Sequence, residues 1–335
     1  MRPPVHHAGA AGAGRPIAYV GAVSETAATT IPGRRYSDRQ TVLEEDPRLW
    51  RRTWLLVAST DHVARPGDVI EARYGLAPTM VVRGDDGRLR GFENQCPHQG
   101  APLCLGANEG WSEIKCNNHQ WTWDLAGRLQ AVDFGAPVTP GQEIPLRPLV
   151  VETWGPLVFA HFDAGAPPVT DAITDLAAAV EGAGIDPEGL RCRSLVQVLT
   201  GGNWKSLVDG ATAVGPIPDL GARQLPNLAV RADGAAGTVT IVRARPYVSV
   251  DRAMFDVIVL EPRPAGEAPG DHRPLDVNLK KDDEVPAEAG VDPELIAFAR
   301  AQLGAVPPSE DRVLGPDDPP ELAALHAWLD DRMGA

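Results

Sequence analysis

Read as a pattern of apolar and polar positions, the 335-residue chain shows three textures. Residues 1–35 are rich in Ala, Gly and Pro with no sustained period, which predicts a disordered tail. From Tyr36 the pattern sharpens. LEEDPRLWRRTWLLVAS (43–59) predicts a short charged helix running into an apolar strand. Between 68 and 163, short runs of Val, Ile, Leu and aromatics alternate with turn residues, as in TMVVRGDDGRLRGFEN (79–94), QWTWDLAGRLQAV (120–132) and PLVVETWGPLVFAHFD (148–163). Asp-Asp-Gly at 85–87 and Ala-Gly at 126–127 stand where hairpins should reverse. Short strands at regular spacing predict a small all-β sandwich or barrel.

Ala-Gly-Ala-Pro-Pro (164–168) marks a boundary, giving a first domain over 36–165 and a second over 166–335. The second is expected to hold a helix over 171–184, a strand over 193–200 and a helix starting near Asn203. Longer strands follow at 238–246 (TVTIVRARP) and 255–264 (FDVIVLEPRP), with closing helices at 293–304 and 320–333. These strands do not alternate with helices as a parallel sheet requires, so the fold class is α+β with antiparallel strands in the second domain. No internal repeat is visible.

Length agrees with two domains at about 150 residues each. With 43% apolar and 23% charged residues, the chain is neither wholly disordered nor collagen-like. Its net charge of −14 argues against a nucleic-acid binder resting on positive charge, and suits solubility or a basic electron-transfer partner. No run approaches about 18 apolar residues, so no membrane span is expected. The first 35 residues lack a basic start with an apolar core, and no apolar run follows Arg34-Arg35, so the expected compartment is the cytoplasm. Four cysteines do not make a disulfide framework.

The chemistry concentrates in Cys96-Pro-His98-Gln-Gly-Ala and Cys116-Asn-Asn-His119-Gln-Trp, a Cys-x-His-x17-Cys-x2-His spacing. Two thiolates and two imidazoles fall in two close pairs, each on a tight turn, and a long hairpin would join them. Pro97 and Gly100 let backbone N–H groups face the sulfurs. Such a set suits zinc in a Cys2His2 site, or a 2Fe–2S cluster with two His in place of two Cys. Zinc fingers pair Cys with Cys and His with His along the chain. Here each pair mixes one of each, which favours the cluster.

The segment resembles the Rieske 2Fe–2S domain. That resemblance implies that each loop gives a Cys to one iron and a His to the other, with Cys96, His98, Cys116 and His119 as the ligand set. Rieske proteins of respiratory complexes carry an extra cysteine in each loop. Ala101 and Asn118 stand there instead, which places the chain in the oxygenase and ferredoxin branch and leaves Cys104 and Cys192 as packing residues. Tyr36 to Asp163, including EEDPRLWRRTWLLV and ETWGPLVFAHF, resembles the N-terminal domain of Rieske non-haem iron oxygenase α subunits. Gln99 replaces the usual Arg, and Asn117-Asn118 with Gln120 replace the common Pro-Tyr and Gly. These departures alter loop hydrogen bonding, not the ligands. Trp121 and Trp123 are expected to pack beneath the cluster, with His98 and His119 as its contacts for donor and acceptor.

Asn203-Trp204-Lys205 with Asp209 resembles the start of the family's catalytic helix, and implies a helix-grip second domain. On that helix the family's bridging acid falls at Ala213 and its two iron-binding histidines at Pro216 and Gly221, none of which can ligate through a side chain. Ser309-Glu310-Asp311 resembles the late carboxylate segment and makes Asp311 a relic of the third ligand. After residue 165 the only histidines are His272 and His326, the latter with an expected surface or packing role. The mononuclear Fe(II) is therefore expected to be absent, and the chain to be a redox subunit. Its expected partner is an iron-bearing homologous catalytic subunit in a trimer-like hetero-oligomer, with a ferredoxin or flavin reductase as donor. Two alternatives stand beside this reading. One is an active oxygenase with an atypical iron site built from Asp209, Asp219, His272 and Asp311. The other is a small-molecule-binding or non-redox protein whose helix-grip pocket is lined by the VTIVRARP and VIVLEPRP strands.

Overall fold

The computed structural model describes residues 30–134, 143–208, 225, 227–249, 251–280, 282–302, 310–313 and 320–333. The chain opens with β1 (Thr30–Ile31), α1 (Arg34–Ser37) and α2 (Arg39–Arg48). Ten strands follow: β2 (Leu55–Ser59), β3 (Val69–Tyr74), β4 (Ala77–Arg83), β5 (Leu89–Glu93), β6 (Ala107–Asn108), β7 (Ile114–Lys115), β8 (Thr122–Trp123), β9 (Leu129–Ala131), β10 (Pro148–Trp154) and β11 (Leu157–His161). Helices α3 (Val169–Ala172) and α4 (Thr174–Gly182) lead to β12 (Leu190–Gly201) and to α5, described over 204–208. The remainder is β13 (Leu228–Asp233), β14 (Thr238–Pro246), β15 (Arg252–Pro262), β16 (Leu275–Leu279), α6 (Pro293–Ala301), β17 (Arg312–Val313) and α7 (Pro320–Met333).

The fold is α+β: an N-terminal β domain followed by an antiparallel sheet flanked by helices. In the first domain the order β2-β11-β10-β5-β4-β3-β6 forms one sheet, and β7-β8-β9 forms a second, smaller one. The hairpins reverse at the glycine turns the sequence marks. Gly87 takes φ 75° between β4 and β5, and Gly127 takes φ 80° between β8 and β9. At Gly127 the requirement is double, because a Cβ there would stand 2.4 Å from the Phe92 ring.

The second domain is the sheet β13-β14-β15-β12-β16. Its long central strands pair antiparallel, Val239 opposite Leu260 through Pro246 opposite Ala253. One pair departs from the expected pattern. β16 lies parallel to β12, Ser194 beside Leu275 through Val198 beside Leu279. β15 ends beside Leu190. The chain then crosses the start of β12 to its other edge, so a strand running back against β15 must run with β12. On one face of this sheet Leu176 and Val180 of α4 join Leu190, Val239, Ile241 and Ile258 in an apolar cluster. Leu295, Ile296 and Ala299 of α6 join Val196, Phe255 and Val257 in another.

Two local readings change and a third narrows. The end of the supposed tail is built in: Thr30 pairs with Val313, Ile31 is fully buried, and Arg34–Ser37 is helical. Residues 1–29 lie outside the described set. The helix expected over 171–184 is two short helices, because Ile173 at φ −120°, ψ 21° interrupts it. Of the two roles expected for His326, the structure excludes the surface one and shows the packing one, against Tyr36. His326 is fully buried, with Nε2 at 3.0 Å from the Tyr36 hydroxyl and Nδ1 at 2.9 Å from an Arg35 nitrogen.

Polar contacts join the two domains. Asp256 on β15 is fully buried between Arg243 and Arg245 of β14, whose Nε atoms lie 2.7 and 2.5 Å from its Oδ2. Both guanidiniums reach into the first domain: Arg243 donates to the Leu56 carbonyl, and Arg245 to the Arg73 carbonyl at 2.9 Å. Burial by itself would raise the Asp256 carboxyl, but the two arginines outweigh it and hold the value down to about 2. Nearby, His62 accepts from the Ser59 amide at Nδ1 (3.1 Å) and faces Asp276 through Nε2 (3.0 Å). Asp61 accepts from the Cys192 amide at 2.8 Å and pairs with Arg263. Glu45 of α2 accepts from the Trp204 indole at 3.0 Å and from the wholly buried Lys205 ammonium. Among the described residues no helix is long and apolar enough to cross a membrane.

Asp256→Ala strips the counter-charge from two buried guanidiniums and is expected to cost about 3–5 kcal/mol, read as a lowered denaturant midpoint. Because the folded carboxyl titrates at about 2, below its ordinary 3.8, its contribution is complete above pH 3.8 and is lost as pH falls through about 2. A denaturation series across that acid range should show this loss in the native chain and a flatter response in Asp256→Ala.

Candidate cluster-binding site

β5 leads into the first loop, and β7 leads through the second loop into β8. Their backbones are built alike. Cys96 donates its N–H to the Ala101 carbonyl at 2.7 Å, while Gly100 donates to the Cys96 carbonyl at 2.8 Å. Cys116 donates to the Trp121 carbonyl at 2.8 Å, while Gln120 donates to the Cys116 carbonyl at 2.9 Å. Each turn closes through a residue at positive φ, 77° at Gly100 and 57° at Gln120. The Gln120 side chain helps hold its turn by donating to the Asn117 carbonyl at 3.1 Å. Asn94 braces the first loop: its Oδ1 accepts from the Leu103 and Cys104 amides at 3.0 and 2.9 Å, and its Nδ2 donates to the Cys104 carbonyl at 2.8 Å.

The two loops sort their four side chains by chemistry. Cys96 and Cys116 are buried and their thiols lie against each other. Burial pushes the Cys96 thiol up and Cys116 adds to this, while the His98 and Gln99 backbone N–H groups aimed at its sulfur pull the other way. The half-buried rings of His98 and His119 meet edge to face, centroids 4.7 Å apart at 79°. His98 Nδ1 is buried with no hydrogen-bond partner, a state a native interior tolerates poorly unless something binds there. A thiol pair and an imidazole pair fit two irons, each taking two protein ligands. All four cysteines are free thiols, and Cys104 and Cys192 are buried as packing residues.

Beneath the imidazoles lie the two tryptophans the sequence places there. Trp121 stacks on His98 at 4.9 Å and 7°, and Trp123 lies beyond it at 6.2 Å. Sequence reasoning missed two parts of the site. Asn94 shows only as a polar residue closing an apolar run. Phe134, 64% exposed, donates its N–H to the His119 carbonyl at 3.2 Å, and nothing in the sequence signals that contact.

Among the described residues, two of the second-domain candidates can be placed, Asp311 and His272. Asp311 accepts from the Gly33 amide at 2.9 Å, beside the β1–β17 pair. His272 Nε2 lies 2.9 Å from the Cys192 carbonyl. Asp209, Ala213, Pro216, Asp219, Gly221 and Ser309 fall outside the described residues.

Residues 53–142 match the family model described as "Rieske [2Fe-2S] domain". The chain is homologous to Rieske oxygenase α subunits. It is 35% identical over 137 residues to biphenyl 2,3-dioxygenase subunit alpha of Rhodococcus jostii (strain RHA1), covering 40% of this chain and 30% of that protein. It is 30% identical over 184 residues to the carnitine monooxygenase oxygenase subunit of Escherichia coli (strain K12), covering 54% and 49%. The chain thus spans less than half the length of these relatives. In three dimensions it is similar to the apo form of a quaternary ammonium Rieske monooxygenase, with TM-score 0.66, 18% identity and coverage of 91% and 95%. At that identity the likeness concerns the fold.

Gln120 supplies a separate test of the loop geometry. A side chain in the left-handed region costs about 1–2 kcal/mol, partly offset by the about 0.5–1 kcal/mol of extra freedom glycine has when unfolded. Because Gln120→Gly also removes the side-chain bond to the Asn117 carbonyl, the stability of the cluster-free chain should rise by no more than about 0.5 kcal/mol in chemical denaturation.

Proposed function

We propose that the chain is a Rieske 2Fe–2S redox subunit related to ring-hydroxylating oxygenases, moving electrons for an iron-bearing homologous subunit rather than oxidising substrate itself. The observation that supports this is the sorted pair of loops, taken with a second domain in which the resemblance puts Ala213 at the bridging acid and Pro216 and Gly221 at the two iron-binding histidines. Cys96 and Cys116 would hold one iron, and His98 and His119 the other. A cluster there supplies one-electron storage and release. The chain's own part is to bury the thiol side and leave the imidazole edge half-exposed, which sets the face for exchange with a donor and an acceptor. In this reading 36–165 is the cluster domain and 166–335 a structural helix-grip domain, with β1 and α1 tying residues 30–35 to the latter. The partners are a homologous catalytic subunit in a trimer-like hetero-oligomer and a ferredoxin or flavin reductase, in the cytoplasm.

A second reading is an oxygenase with its own atypical iron site. It is favoured by the names of the relatives, which include carnitine and glycine betaine monooxygenase oxygenase subunits. Asp311 and His272 each have another partner, and the other two candidates, Asp209 and Asp219, lie outside the described residues. The helix-grip pocket reading gains nothing from β14 and β15, where Arg243, Arg245 and Asp256 are committed to one another.

Iron counting separates the readings. The purified chain is expected to hold two irons and two acid-labile sulfides, and to reduce an iron-bearing homologue with which it co-purifies. A third iron with substrate oxidation by the isolated chain overturns the electron-transfer assignment. Cys116→Ser should abolish the visible absorption of the cluster and the iron with it, while far-ultraviolet circular dichroism stays at that of the cluster-free native chain.

A further inference from the structure

Trp121 contacts the His98 ring directly and is linked to the His119 main chain through Phe134. Its indole face lies parallel to the His98 ring, at 4.9 Å and 7°. Its Nε1–H donates to the Phe134 carbonyl at 2.8 Å, and the Phe134 N–H donates in turn to the His119 carbonyl at 3.2 Å. Its own carbonyl accepts from the Cys116 amide at 2.8 Å, which closes the second loop. The ring is 3% exposed, so it also shields the inner side of His98 from water. Trp123, one ring further in, spends its Nε1–H on the Ile144 carbonyl at 2.9 Å and lies against Trp121 rather than a histidine.

We propose that Trp121 is a positioning residue for both candidate histidine ligands, by its stacked ring for His98 and through the Phe134 main chain for His119, and that it thereby sets the reduction potential of the cluster. The inference rests on the cluster reading above. Groups that orient a metal's imidazoles and control their access to water are established means of tuning a metal centre. The sign follows from charge. With neutral imidazoles the oxidised cluster with its two thiolates is neutral, and one electron makes it singly negative. A dry indole wall disfavours the charged form, so removing it lets water stabilise the reduced state and the potential rises.

The experiment is a redox titration of the full chain against an electrode, with iron and sulfide counted in every sample and the reduced state examined by electron paramagnetic resonance. Trp121→Leu removes both contacts and is expected to raise the midpoint potential and broaden the resonance. Trp121→Phe keeps a stacked ring and loses the Nε1–H, so it should shift the potential less while still broadening the signal. Trp123→Phe makes the same loss one ring away and should leave both readouts unchanged. If Trp121→Leu loses its iron, Trp121→Phe decides. Native potential and lineshape in the Trp121 variants overturn the inference alone, as does an equal shift in Trp123→Phe or loss of iron from both Trp121 variants. Absence of iron and sulfide from the unaltered chain overturns the cluster reading, and this inference with it.

Discussion

The two domains are held in one arrangement by a carboxylate that cannot leave. Asp256 sits without solvent contact between two arginines, and each arginine spends a further donor on a main-chain carbonyl of the first domain. All three ions belong to the second domain, and Asp256 holds both guanidiniums where they reach the Leu56 and Arg73 carbonyls, acceptors that separation of the domains would remove. Specificity of docking, more than net stability, is what such a group provides. The Tyr74 hydroxyl, donating to the Leu56 carbonyl at 2.6 Å, adds a fixed neighbour to the same seam.

Around that seam the rest of the polar interface falls into order. Ser59, Asp61 and His62 lie at and just beyond the end of β2 and meet β12 and β16 through Cys192 and Asp276. The Ser59 amide donates to His62 Nδ1, which leaves Nε2 as the proton-bearing nitrogen facing the carboxylate. Serine, histidine and aspartate are in line here, yet Ser59 and His62 are buried at a domain junction, and the contact reads as structural.

Much of this was legible in the chain. Hairpin positions followed from Asp-Asp-Gly and Ala-Gly, because a tight reversal needs a residue that tolerates positive φ, and the strand at 238–246 matches β14 residue for residue. The ligand candidates were readable because Cys-x-His twice over is a pattern chemistry rarely produces by chance. What escaped was long-range. The Asp256–Arg243–Arg245 group reads as two charged interruptions of apolar strands, and only tertiary pairing between neighbouring strands turns them into a buried unit. The edge position of β16 depends on where the preceding loop crosses the sheet, which no local pattern records. Gln120 in the left-handed region was visible only as a departure from the usual glycine.

The lock between Glu45, Trp204 and Lys205 bears on how such a protein changes over generations. The start of α5 is fixed from outside by an ion pair and by the Asn203 side chain, which accepts from the Lys205 amide at 3.0 Å. A helix anchored in that way does not rely on coordination for its placement. The first turn of α5 is thereby held from α2, and the scaffold at this point can outlast changes elsewhere in the second domain.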